Sequence, residues 1–170
     1  LSKTEEKQLI DFCMKNSHLY GIHSLLVLLY TGMCLGELAS MKIESENNYT
    51  FITCETEKIR KGYAAVRRRI PISPMFRKIW DMIDFEKTKV ASSKTLSDTI
   101  KKVFPERHVH ELRYTFISRC KECGCNLELV MLWDGHEFDK DVRTSKVDRG
   151  YTQYSDEIYF GDIEKVNYEL

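Results

Sequence analysis

The sequence predicts an α+β domain that is mainly α-helical, with one small antiparallel β-sheet. Three observations carry that expectation. Apolar residues recur at helical spacing along most of the chain. Only residues 49–72 hold strand-like runs, and these lie next to one another with turn signals at their ends. The 170 residues have an ordinary globular composition with little Pro or Gly, which suits a single domain, 1–170, with its own core.

The elements follow in order. Ser2-x-x-Glu5 resembles a capping box, and Leu9, Ile10, Phe12 and Cys13 then have helical spacing up to Asn16-Ser17. A second apolar helix is expected over 22–30, ended by Thr31-Gly32. Leu35, Leu38 and Met41 give the buried side of a short third helix that includes Glu37. Asn47-Asn48 marks a turn, and two strands are expected at Tyr49–Glu55 and 63–72, joined through Lys61-Gly62. Pro74 opens a helix whose inner face is Phe76, Ile79, Trp80 and Ile83. Residues 93–104 form an amphipathic helix with Lys94, Lys101 and Lys102 outward. Helices are expected at His110–Glu122 and 127–133, with Gly124 and Gly135 as their ends, and a last helix over 156–168.

Composition narrows the function classes. No apolar run approaches the length that spans a bilayer, and no charged-then-apolar leader is seen, so a cytoplasmic address without a membrane partner is expected. Six cysteines in apolar or helical contexts suggest reduced thiols rather than a disulfide framework. Cys120, Cys123 and Cys125 with His108 and His110 raise the question of zinc, but no second pair at ligand spacing follows, and no metal is expected. The formal net charge is zero, yet residues 58–119 hold 16 Lys and Arg against 6 Asp and Glu. The remainder carries the opposite imbalance. Such an asymmetry suits a one-sided surface for a polyanion, with solvated basic helix faces as the plainer alternative.

The chemistry concentrates in three places. His110-Glu111-Leu112-Arg113-Tyr114 places a His and an Arg three apart, on one helix face. Gly135-His136 and Tyr151-Thr152-Gln153-Tyr154 follow. A His to move a proton, an Arg to hold a phosphate oxygen and a tyrosine hydroxyl suit phosphodiester cleavage by a covalent tyrosine nucleophile. Thr31-Gly32-Met33-Cys34-Leu35-Gly36-Glu37-Leu38 resembles the pattern Thr-Gly-x-Arg-x-x-Glu-Leu, and Arg68-Arg69-Ile70-Pro71 resembles an Arg-x-Ile-Pro run closing a sheet. Together with His110 to Phe116, Gly135-His136 and Tyr151-Thr152-Gln153, the ordered series resembles the catalytic domain of the tyrosine recombinases, the phage integrase family, over nearly the whole chain.

That resemblance implies a tyrosine-recombinase-like fold that cuts and rejoins DNA through a 3′-phosphotyrosyl link, without metal or nucleotide cofactor, for integration or excision of a phage or mobile element. It implies Tyr151 as nucleophile, with Tyr154 as the alternative. It further implies Arg113 as phosphate clamp, His110 and His136 as proton-handling and phosphate-contacting groups, and a sheet lysine as proton donor, Lys61 or alternatively Lys58. Arg60, Arg67, Arg68 and Arg69 are expected to contact DNA backbone or remain solvated. Two features depart from the family pattern. The stretch from His136 to Tyr151 is longer than usual, and Cys34 stands where the family has its first arginine. A cysteine cannot make the bidentate charged contact, and loss of one such donor typically costs on the order of 10²–10³ in rate. A weakened or inactive DNA-binding relative is therefore the alternative, and a type IB topoisomerase is a further one. The chain opens at Leu1 directly on a helix start, which suggests a missing N-terminal region; in the family that region binds the core site. The resemblance also implies double-stranded DNA as partner in a bacterial host cell, and a tetramer on that DNA.

Overall fold

Helix α1 (Lys3–Lys15) begins at the reciprocal cap that the sequence announces. The Glu5 N–H donates to Ser2 Oγ at 3.2 Å and the Ser2 N–H donates to the Glu5 carboxylate at 2.7 Å, satisfying two donors that a helix start leaves without partners. Residues 1–56, 67–88, 92–135 and 154–170 are those the computed structural model describes. Helix α2 (Ser24–Thr31) follows and is buried at every position, as a helix that is apolar all round must be. It ends at Gly32, whose φ of 65° is left-handed.

A 3₁₀ turn at Leu35–Ser40 leads into a sheet of β1 (Lys42–Glu46), β2 (Tyr49–Glu55) and β3 (Arg67–Pro71). The short helices α3 (Pro74–Arg77) and α4 (Phe85–Thr88) flank a 3₁₀ turn at Trp80–Met82. The helices α5 (Ser93–Val103), α6 (His110–Glu122), α7 (Leu127–Asp134) and α8 (Asp156–Gly161) complete the described order, with a 3₁₀ turn at Asp162–Lys165. The expected mainly helical α+β class with one small antiparallel sheet is therefore observed. α2 packs against α6 and α1, and α7 packs against β3.

The sheet has three described strands in the order β1-β2-β3, one more than the sequence suggests. The turn at Asn47-Asn48 is a hairpin: both residues have positive φ, 50° and 67°, and Glu46 pairs with Tyr49. A two-residue turn with both φ positive matches the right-handed twist of the strands, and Asn tolerates that conformation. β1 is hard to see in sequence because Ile43 is its one apolar residue and it lies at a solvated edge.

Two helices are shorter than their periodicity predicts. After Pro74 the helix stops at Arg77, although Met75, Phe76, Ile79 and Ile83 are all buried. Trp80 instead packs edge-on to Phe76 at 5.0 Å and against Phe85 at 4.5 Å, so tertiary packing overrides the helical period. The last helix ends at Gly161, a poor interior helix residue, and continues as a 3₁₀ turn and a tail without regular structure. That tail folds back onto its own chain. Phe160 stacks on Tyr49 and Phe51, Ile163 and Val166 are buried, and the Met75 N–H donates to Val166 O.

A buried polar cluster ties the two ends of the chain to the core. Glu6, 0% exposed, accepts from Tyr30 Oη at 3.0 Å, from Arg119 Nε at 3.0 Å and from Tyr168 Oη. Removing one partner of a buried ion pair strands the other, so Glu6→Ala should lower the unfolding free energy by about 3–5 kcal/mol in urea denaturation. A loss below roughly 1 kcal/mol would show that the cluster carries little stability.

Among the described residues no helix is long and apolar enough to cross a membrane.

Candidate functional site

Arg113 is the point where three separated segments meet. It lies one turn into α6 and is only 6% exposed, so its guanidinium needs acceptors in place of water. Nη1 donates to Gly32 O at 2.8 Å and to Cys34 Sγ at 3.4 Å. Nη2 stands 3.9 Å from Asp134 Oδ1, at the end of α7. The segment after α2, the second turn of α6 and the end of α7 thus converge on one cation. Close approach at Gly32 depends on glycine: a Cβ there would sit 2.5 Å from Phe116 Cδ1, and the left-handed φ would be strained besides.

Cys34 and His110 both border a cleft of about 500 Å³, with walls from Met33, Leu35, Ser93 and Val109. His110 is the first residue of α6, exposed, and meets the Tyr114 ring edge-on at 5.0 Å. The sequence-predicted pair His110 and Arg113 is therefore brought beside the predicted first-arginine position, Cys34. Cys34 itself is half-buried, and its backbone N–H donates to Glu37 Oε2 at 2.7 Å.

The arginines of β3 divide by strand alternation. Arg67 is exposed and paired with Glu44. Arg69 lies over the Phe51, Tyr159 and Phe160 rings and pairs with Asp156 at 3.3 Å and Glu46 at 3.7 Å. Arg68 corrects the expectation of a DNA-contacting or solvated side chain. It points inward with its neighbour-but-one Ile70, its side chain 3% exposed, and forms an ion pair with the buried Glu37. Its Nη1 donates to Trp133 O at 2.6 Å and its Nη2 approaches Cys54 Sγ at 3.4 Å. Its two terminal nitrogens are thus turned toward Glu37, Trp133 O and Cys54 in the interior, on the far side of Glu37 from the cleft-lining Cys34.

Tyr154 is held away from Arg113. Its hydroxyl donates to Glu128 in the first turn of α7, and that hydrogen bond raises its pKa above the ordinary tyrosine value. Glu128 and Asp134 are six residues apart on one helix, about 9 Å along the axis at 1.5 Å per residue. Tyr154 therefore sits at the opposite end of α7 from the Arg113 contact, and its phenolate is disfavoured. Tyr151, His136, Lys61, Lys58 and Arg60 lie outside the described residues.

The residues considered for zinc are spread along one helix and its two ends. His108 and His110 stand at the start of α6 and Cys120 near its end, ten residues or about 15 Å from His110. Among the described residues no group of three His, Cys, Asp or Glu side chains could hold a metal ion. All six cysteines are free thiols, and burial pushes Cys13 up to about 12 and Cys54 up to about 11, well away from thiolate reactivity.

The sequence motifs give no role to Asp134 and point Arg68 the wrong way. Asp134, 2% exposed, ends α7, where a negative charge opposes the helix dipole; an acid in that position signals a specific cationic partner, here Arg113. The inward Arg68 was signalled by the period-two alternation with Ile70. Comparison with family models, with curated proteins and with solved structures finds no match to this chain.

Proposed function

We propose that this chain is a tyrosine-recombinase-type catalytic domain that cuts and rejoins double-stranded DNA through a 3′-phosphotyrosyl intermediate. The observation that carries this reading is the meeting of three motif segments at Arg113: Thr31 to Leu38, His110 to Phe116, and the segment leading into Gly135-His136. Segments 81 residues apart in sequence, from Gly32 to Arg113, share one guanidinium, and the bordering cleft has an imidazole and a thiol at its edge.

The roles follow from the chemistry of the bond. The Tyr151 hydroxyl attacks the scissile phosphorus, a phosphorus–oxygen bond to tyrosine forms, and the bond to the 5′ oxygen breaks. Lys61, or Lys58, donates the proton that the 5′ oxygen needs to leave as a hydroxyl. His110 and His136 take the phenol proton and steady the phosphate. Arg113 holds the non-bridging oxygens, where charge grows in the transition state. Reversal by a second 5′-hydroxyl completes rejoining. Arg67 and Arg69 can join the DNA contact by exchanging their acidic partners for phosphates.

One observation favours a second reading, a DNA-binding relative with little or no cleavage: Cys34 stands beside Arg113 where a second guanidinium would be needed. The two readings separate on incubation with a pool of nicked duplexes of randomised sequence. Strand transfer yields a covalent protein–DNA species that survives detergent, is lost in Tyr151→Phe and persists in Tyr154→Phe. Salt-sensitive binding without that species, in this chain and in Cys34→Arg alike, would leave only the binding reading.

A further inference from the structure

The carboxylate of Glu37 joins two parts of the site that do not touch directly. One oxygen, Oε2, accepts from the Cys34 N–H at 2.7 Å and pairs with Arg68 Nη2. Arg68 then donates through Nη1 to Trp133 O at 2.6 Å, a carbonyl in the last turn of α7 that has no partner within the helix. The chain leaves α7 through Gly135, whose φ is 75°, and a Cβ there would sit 2.7 Å from Arg68 Cδ and 2.8 Å from Arg68 Nε. The guanidinium is thus laid directly against the backbone that leads to His136. An unbroken polar path runs from the residue-34 backbone through Glu37 and Arg68 to the end of α7.

Nothing in this arrangement resembles a solvent or polyanion contact. Both side chains are at most 4% exposed, and among the described residues Arg68 Nε has no acceptor. A buried arginine that leaves one donor unmatched is held for its position, because each unmatched buried donor costs stability. The bidentate reach of a guanidinium is what spans a carboxylate on one side and a carbonyl on the other; an ammonium has neither the fork nor the width.

We propose that Arg68 is a positioning residue: through Glu37 and Trp133 O it fixes the backbone at residue 34 and at Gly135 in one register, so that both face the phosphate held by Arg113. This rests on the strand-transfer reading above, and its test is built to fail separately from it. The variants are Arg68→Lys and the paired apolar replacement Glu37→Leu with Arg68→Met, which leaves no stranded charge if the lysine variant does not fold. The first measurement is amide hydrogen exchange at Cys34 and Gly135. In Arg68→Lys, protection at both amides should fall together by at least about tenfold relative to the α2 amides, although Arg68 bonds to neither N–H; in the paired variant, which removes the Cys34 acceptor itself, the reading is the same loss at Gly135, whose N–H donates to Met131 O. The second is the rate of covalent DNA linkage at saturating DNA in a Cys34→Arg background, beside the dissociation constant for DNA. The rate should fall about tenfold or more with the dissociation constant within about twofold.

Unchanged exchange at Cys34 overturns the coupling whatever the chemistry does. An unchanged linkage rate overturns the positioning role. Weakening of DNA affinity in step with the rate would make Arg68 a phosphate contact after all. If the Cys34→Arg parent forms no adduct, the strand-transfer reading falls and with it the positioning role, while the exchange result still decides the coupling.

Discussion

Replacing Cys34 by Arg should raise the rate of covalent linkage to nicked DNA by a factor on the order of 10²–10³, the usual worth of one charged donor aimed at developing phosphate charge. The geometry favours the gain. Cys34 Sγ lies 3.4 Å from Arg113 Nη1 and borders a cleft of about 500 Å³, which has room for the longer side chain. The backbone at residue 34 is already held by Glu37, so the new guanidinium starts from a fixed base. Asp134, 3.9 Å from Arg113, offsets part of the repulsion between two adjacent cations until a phosphate enters. The same variant should bind DNA more tightly and with a steeper salt dependence. Single-turnover gels at several DNA concentrations read both quantities. A Cys34→Arg protein that folds and links no faster would remove Cys34 as the defect.

On the proposed function, Arg113→Ala in the Cys34→Arg background should abolish measurable linkage, a loss on the order of 10³ or more, and Arg113→Lys should not restore it. The lysine can keep a charge near Asp134, but it cannot donate at once to Gly32 O, toward residue 34 and to a phosphate oxygen. The expected contrast is therefore between fold and chemistry: the lysine variant should unfold at nearly the parental urea concentration while its linkage rate stays near the alanine value. A lysine variant active within about tenfold of the parent would mean that simple charge suffices and that the fork geometry of Arg113 is not used.

Much of this arrangement was legible in the sequence, for identifiable reasons. α6 runs from His110 to Glu122 as its period predicts, and Gly32, Gly124 and Gly135 end their helices in the left-handed conformation that marks such positions. Ser2 and Glu5 form the capping box that their spacing suggests. The spacing of His110 and Arg113, with the Thr31 to Leu38 segment, anticipated a cluster whose described members do come together. What stayed hidden depended on partners that no local pattern reveals. β1 needs β2 to be a strand at all, since its own residues are polar. The break after Arg77 answers to aromatic packing around Trp80. The run Arg67-Arg68-Arg69 looks uniformly basic along the chain, yet alternation sends its middle member into the core to meet Glu37. Only the identity of the inward neighbour Ile70 hinted at this.

The proposed strand transfer requires a tyrosine of this chain to become covalently joined to a DNA 3′-phosphate. Mass spectrometry of peptides from the Cys34→Arg protein trapped on nicked DNA tests it most directly. The expected result is one nucleotide-bearing peptide, modified at Tyr151 and missing from Tyr151→Phe. A nucleotide on Tyr154, whose hydroxyl is occupied by Glu128, would contradict the nucleophile assignment, and a protein that binds DNA but carries no nucleotide on any tyrosine would contradict the strand transfer itself.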